Sequence, residues 1–294
     1  MIFEIRSALV EEGEIPLSIQ KALENTFVQK NPWGRPRSKR GEWLNELKDI
    51  KVPHVSETVS KRLLFTCCIQ AYDPRCMVIP VNVARILHKG GVEFGTLGTE
   101  EACCGNEIRR MGETGLFEDL QEGNLAVLKK HDVQQIIALS PHCMNALKKE
   151  YGDHGIEVLH YTEVLAEMLR EGVLTFREPY RKKVIYHDPC FLGKQNKVFE
   201  APRDILKAID GLELLEFSGA RENSLCCEGG GGRMFYEAEI AYVRNSEKRV
   251  EEAVAKGAEV LATSCPFCVM TLEDPATEKS LPVKELSEIV MEVL

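Results

Sequence analysis

No stretch of this chain approaches the roughly 18 consecutive apolar residues that a membrane-crossing helix needs. Its charged opening, with Glu4, Arg6, Glu11, Glu12 and Glu14, is not that of a secretory signal. A cytoplasmic location is expected, with any membrane contact made peripherally through a partner subunit. Positive charge is also scarce: 37 Lys and Arg against 46 Asp and Glu leave a formal net charge of −9. Binding to a phosphate backbone is driven by Lys and Arg, so no nucleic-acid partner is expected. The one basic cluster, Arg35, Arg37, Lys39 and Arg40, reads as a solvated or docking face. The glycine run Gly229 to Gly232 lacks the Lys-Ser/Thr ending of a phosphate loop.

Cysteine, by contrast, is abundant. Eleven cysteines in a chain without an export signal point to a reducing compartment and to metal or redox chemistry, not to a disulfide framework. Five of them form a pattern: Cys190, 35 residues, Cys226-Cys227, 37 residues, then Cys265-Pro266-Phe267-Cys268. Most of that pattern occurs a second time upstream, as Cys68, 34 residues, Cys103-Cys104-Gly105, 34 residues, then Ser140-Pro141-His142-Cys143. The upstream copy thus has four thiols and a serine in the fifth place. Cys67 and Cys76 fall outside both patterns and read as ordinary buried or partly exposed thiols. His142 and His187, each near a patterned cysteine, are candidates to donate to sulfur or shuttle a proton but read first as capping or packing residues, and Asp73-Pro74 and Asp188-Pro189 as turn formers.

The order of elements repeats as well, the mark of an internally duplicated architecture. Residues 1–60 form an arm with an amphipathic stretch at Ile15 to Val28, a turn at Asn31 to Gly34 and a short helical stretch at Trp43 to Leu47. In residues 61–178 a strand at Arg62 to Thr66 runs into Cys68, followed by a helix at Val78 to His88 and a strand at Val92 to Leu97. The Cys103-Cys104-Gly105 loop then opens one long helix reaching Lys130. A strand at Gln135 to Leu139 delivers Ser140 to Cys143 to the next helix start, and Glu157 to His160 forms a fourth strand. Residues 179–294 repeat the scheme with strands at Lys183 to His187, Glu213 to Phe217 and Glu259 to Thr263, and a helix at Pro202 to Ile209. Strands alternating with helices predict an α/β fold of two pseudo-repeated lobes with mainly parallel sheets. Ligands of such sheets gather outside the carboxyl ends of the strands, where these cysteines lie.

Thiolates are soft ligands for zinc, copper(I) or iron–sulfur cores. A mononuclear zinc site takes four ligands, so five thiols with two adjacent suit a polynuclear core better. These residues, together with Tyr72-Asp73-Pro74, His187-Asp188-Pro189-Cys190 and Gly229 to Gly232 followed by Arg233, resemble the cysteine-rich CCG domain. That domain occurs in catalytic subunits of heterodisulfide reductases and in iron–sulfur subunits of glycolate and lactate oxidoreductases. Residues 2 to 47, with Asn31 to Gly34, Arg40 and Trp43, resemble the connector of the heterodisulfide reductase D-type subunit.

The resemblance implies that Cys190, Cys226, Cys227, Cys265 and Cys268 hold a non-cubane [4Fe-4S] cluster that acts on disulfides. Cys68, Cys103, Cys104 and Cys143 match the first copy's set, where Ser140 replaces one cysteine, leaving a second [4Fe-4S] cluster, zinc or no stable metal as the alternatives. Gly229 to Gly232, Arg233, Arg109 and Lys194 are the expected tuners of sulfur charge. Glu228 stands where the family has glycine, which predicts that the loop turns at Gly229 instead. The ferredoxin-type run of four cysteines that precedes the connector in the family is not in this sequence. Expected partners are therefore a separate ferredoxin-type iron–sulfur subunit and a membrane cytochrome or flavoprotein subunit. The expected substrate is a thiol or disulfide, either a small coenzyme or a sulfur-carrier protein. The alternative is an electron-transfer iron–sulfur subunit of a flavin-dependent glycolate- or lactate-type dehydrogenase.

Overall fold

Short apolar runs separated by amphipathic helices must pair as parallel strands, because each connection is a helical crossover that brings the chain back to the same edge. The computed structural model, which describes residues 2–236 and 242–294, has two such sheets. Helices α1 (Ile2–Glu11) and α2 (Leu17–Gln29) open the chain, and a 3₁₀ turn at Glu42–Glu46 buries Trp43. Then follow β1 (Arg62–Phe65), α3 (Cys68–Tyr72), α4 (Val78–Lys89), α5 (Asn106–Met111) and α6 (Thr114–Lys130). The first lobe closes with β2 (Gln135–Ala138), α7 (Pro141–Asn145), β3 (Glu157–His160) and α8 (Tyr161–Arg170). The second lobe comprises β4 (Lys183–His187), α9 (Glu200–Lys207), β5 (Glu213–Leu215) and α10 (Asn245–Ala255). It ends with β6 (Val260–Thr263), α11 (Pro266–Glu278), β7 (Val283–Glu285) and α12 (Leu286–Val293).

The sheet orders are β1-β2-β3 and β5-β4-β6-β7, parallel throughout, so the expected α/β class and paired lobes are what the chain forms. The lobes are more alike than the strand counts suggest. The expected strand at Val92 to Leu97 does lie beside β1, where β5 lies beside β4, but it makes only isolated bridges, Leu63 with Gly95 and Thr96 with His54. Its backbone is sandwiched between β1 and residues 53–55, and a Cβ on Gly95 would come within 2.6 Å of the Val55 Cα. That close approach selects glycine at the cost of a regular ladder.

The single long helix expected after Cys103-Cys104-Gly105 is in fact two. Gly112 ends α5 at φ +103°, where only glycine rests without strain, and Glu113 caps α6 by accepting from the Leu116 amide.

Candidate metal centre

Cys68, Cys143, Cys190, Cys265 and Cys268 sit where a strand gives way to a helix, and the adjacent pairs Cys103-Cys104 and Cys226-Cys227 lie in loops. In the second lobe, Cys190 follows β4, Cys265 caps α11 with Pro266 at the first helical position, and Cys268 lies in that helix's first turn. Cys226 and Cys227 lie in the loop after β5. The sulfurs converge: Cys190 to Cys226 is 4.0 Å, Cys227 to Cys268 is 3.3 Å, and Cys265 neighbours Cys268. The loop's position is set by buried charge. Arg203 grips Asp188 at 2.7 and 2.8 Å and Glu216 at 2.6 and 2.8 Å, and Asp188 in turn accepts from the Arg221 amide at 2.9 Å. Arg249 donates to the Ser224 hydroxyl at 2.7 Å and to the Gly219 and Leu225 carbonyls. Asp188 is thus an anchor as well as a turn former.

The Cys-Cys-Gly turn has one geometry in both lobes, and Glu228 is the residue that corrects the expectation. The loop turns at Glu228 itself, with φ +68°, as Gly105 does with φ +77°. In each case the amide of that residue donates to the first cysteine of the pair, Gly105 to Cys103 and Glu228 to Cys226, both at 3.4 Å. A left-handed glutamate costs about 1 kcal/mol, and this amide–sulfur bond is what the conformation secures. Gly229 is needed for space, since a Cβ there would meet Thr271 Oγ1 at 2.5 Å.

Sulfurs packed this closely cannot all be thiolates without a counter-charge. Its neighbour Cys226, and then burial, push the Cys190 thiol up, while Cys190 and Cys227 pull Cys226 down. Burial raises Cys265 too, but Cys268 and His142 beside it prevail and bring it down to about 5. His187 is buried among these sulfurs, with a ring nitrogen within 4.8 Å of Cys227 and Cys268, and neither of its nitrogens has a partner among the described residues. Burial, and then Arg249, hold it neutral, at about 3. Five converging soft donors and an orphaned imidazole fit a sulfur-bearing polynuclear core, and Cys227, Cys268 and His187 alone have the spacing of a smaller metal site.

In the first lobe, Cys68 neighbours Cys103, Cys103 neighbours Cys104, and Cys104 neighbours Cys143. The arm contributes here: Arg40, buried, donates to the Cys68 sulfur at 3.2 Å, to the Thr66 carbonyl at 2.7 Å and to Glu101 at 2.8 and 2.9 Å. In the sequence Arg40 reads only as part of a solvated or docking face, because its partners are distant in the chain. Cys67 is also in the site, against Cys143, so the expectation of an unrelated thiol does not hold.

The expected tuning cations lie elsewhere. Arg109 pairs with Glu150 at 2.9 Å, Lys194 is exposed, and Arg233 lines a cavity of about 500 Å³ with Arg6, Ile19, Met111, Glu228 and Tyr236. The Gly232 amide donates to Glu107 at 3.1 Å, not to sulfur.

His142 joins the two sets and is more than a packing residue. Its Nδ1 meets Glu107 at 2.6 Å, its ring stacks on Phe267 at 4.1 Å, and it hydrogen-bonds Cys265 of the other lobe. Burial disfavours its charge, yet Glu107 and Cys265 outweigh that and raise it to about 10. Cys143 and Cys265 are therefore separated by one peptide unit and one hydrogen bond. Cys76 lies in the same junction, buried, with its sulfur 3.8 Å from the Pro266 carbonyl.

Paired lobes with matched thiol sets define a duplicated cysteine-rich module, and the CCG cysteine-rich domain matches residues 63–148 and 184–273. The chain belongs to that family. It is 36% identical over its whole length to the probable iron-sulfur-binding oxidoreductase FadF of Bacillus subtilis and to the EtfAB:quinone oxidoreductase of Syntrophomonas wolfei, covering 43% of each. Over 99% of its length it is 30% identical to the D-type subunit of the dihydromethanophenazine:CoB--CoM heterodisulfide reductase of Methanosarcina barkeri, covering 71% of that protein. No helix among the described residues is long and apolar enough to cross a membrane.

Proposed function

We propose that the chain is the iron–sulfur catalytic part of an oxidoreductase that cleaves or forms a disulfide at the second-lobe site. The carrying observation is exposure: Cys190 and Cys226 are partly open to solvent, whereas Cys68, Cys103, Cys104 and Cys143 are all buried. A substrate sulfur must touch the centre that acts on it, while a relay needs only proximity. Cys190, Cys226, Cys227, Cys265 and Cys268 would hold a [4Fe-4S] core there, of the non-cubane kind the family resemblance suggests, and the first lobe would hold a second. Such cores supply one-electron transfer when bound.

The protein's own residues set the stage for that chemistry. His187 offers an uncommitted ring N–H to sulfur. His142 carries positive charge between the two sets, and Arg40 neutralises Cys68. Reduction of a disulfide takes two electrons and two protons and yields two thiols, so electrons arriving singly must be passed twice. A ferredoxin-type iron–sulfur protein is the proposed donor, with a flavoprotein or membrane cytochrome beyond it.

The identity to the EtfAB:quinone oxidoreductase favours a second reading, that of a relay without disulfide chemistry. Anaerobically purified, dithionite-reduced protein mixed with a small disulfide separates the two. If the disulfide reading holds, thiol appears in proportion to electrons lost. If the relay reading holds, a quinone or dye is reduced and the disulfide is not. Cys227→Ala is expected to lose the second-lobe iron and acid-labile sulfide and at least tenfold of the disulfide turnover. Full iron content in that variant would sink the assignment.

A further inference from the structure

In the first lobe a thiol, Cys67, stands one strand across from Ser140, the position where the second lobe has its Cys265. In the parallel register of β1 and β2, Phe65 stands beside Ala138, and the Leu139 amide continues the ladder by donating to the Phe65 carbonyl at 3.2 Å. Two residues further on, Cys67 leaves β1 as Ser140 leaves β2, one strand spacing apart. Gln70 clamps these two ends together. Its Oε1 accepts from the Cys67 amide at 3.0 Å, and its Nε2 donates to the Leu139 carbonyl at 2.9 Å.

The second lobe has the same junction, with His187 beside Thr263 in register. There the two positions are Pro189 and Cys265. Each lobe therefore has one thiol at this junction, on β6's end in the second and on β1's end in the first. Ser140 is otherwise engaged: its hydroxyl caps α7 by accepting from the His142 amide at 3.3 Å. Cys67 is buried, and its side chain touches that of Cys143.

We propose that Cys67 is the fifth ligand of the first-lobe site, so that Cys67, Cys68, Cys103, Cys104 and Cys143 form a quintet equivalent in number to that of the second lobe. The proposal rests on the reading that the first lobe holds an iron–sulfur core, and is independent of whether the protein acts on disulfides. A fifth thiolate adds a negative charge and a donor to a site that four would leave no larger than a mononuclear zinc centre requires.

The test is made on the full chain, anaerobically reconstituted with iron and sulfide, in the Cys227→Ala background, so that only the first-lobe site contributes. Iron and sulfide content, visible absorption and Mössbauer spectra are read, with circular dichroism as the check on folding. Cys67→Ser is expected to lose more than half of the remaining iron and to change the Mössbauer spectrum, and Ser140→Cys added to Cys67→Ser is expected to restore both. Ser140→Ala alone should leave them unchanged. Retention of the full iron content and spectrum in Cys67→Ser, or loss in Ser140→Ala instead, would overturn the proposal. A Cys227→Ala protein with no iron at all would overturn the two-core reading itself, which is a different result.

Discussion

At the scale of single residues, the recurring device is a group forced into an unfavourable state by what surrounds it. Glu228 holds a backbone angle better suited to glycine, so that its amide reaches Cys226. Glu285 is another case, away from the thiols. Burial pushes its carboxyl up to about 7, although Ser287 and the Tyr161 hydroxyl hydrogen-bond to it. An unfolded glutamate titrates near 4.3. The folded protein therefore holds this proton while the unfolded chain releases it, and stability contributed below about pH 4.3 is lost as the pH rises to about 7, by up to about 4 kcal/mol. In Glu285→Gln that dependence should vanish, because the amide keeps an acceptor for the Ser287 amide and never ionises. Urea denaturation of both proteins between pH 5 and 8 checks this: the wild type should lose stability relative to the variant as the pH rises, and parallel curves would refute it.

At the scale of elements, strand ends and helix starts were the legible part. β3 and β4 fall on their expected residues, and Cys68, Cys143, Cys190, Cys265 and Cys268 lie at strand-to-helix junctions, because period and spacing are local properties of the chain. What escaped depends on contact between distant segments. Val92 to Leu97 reads as a strand but is held off a regular ladder by residues 53–55. The α5 and α6 boundary was missed because a lone glycine in a helical pattern is tolerated more often than it breaks one. Here Gly112 also packs under the arm, and an added Cβ would lie 2.5 Å from the Arg6 carbonyl carbon. Gly112→Ala is expected to cost about 1–3 kcal/mol from backbone strain alone and to lift α1 from α5. Faster amide hydrogen exchange across Ile2–Glu11 would show it, and unchanged protection there would contradict the argument.

On the scale of the molecule, the lobes are locked across an interface that no sequence pattern announced. Arg75 of the first lobe meets Glu273 at 2.7 Å, Glu288 at 3.0 Å and the Val283 carbonyl at 3.0 Å in the second. Tyr161 reaches across to Glu285, and His142 to Cys265. Arg75→Met should weaken this contact by about 1–3 kcal/mol, since two partly buried carboxylates lose their cation. The expected readout is faster tryptic cleavage at exposed Arg177, Arg181 and Lys182 between the lobes, and cleavage at the wild-type rate would argue that other contacts suffice. The thiol sets could be read from spacing, but Arg40 and His142 could not, since each acts on a sulfur that is remote in sequence.

The arm's hold on the first site has a further consequence, for the ribosome. Arg40 is made before any cysteine of the chain, and the Lys30 carbonyl that receives the Cys103 amide at 2.9 Å is earlier still. Once Cys143 has emerged, every thiol of the first set is available, while translation must run on to Cys268 before the second set is complete. The two thiol sets are thus made in a fixed order, the first complete at Cys143 before the second begins at Cys190.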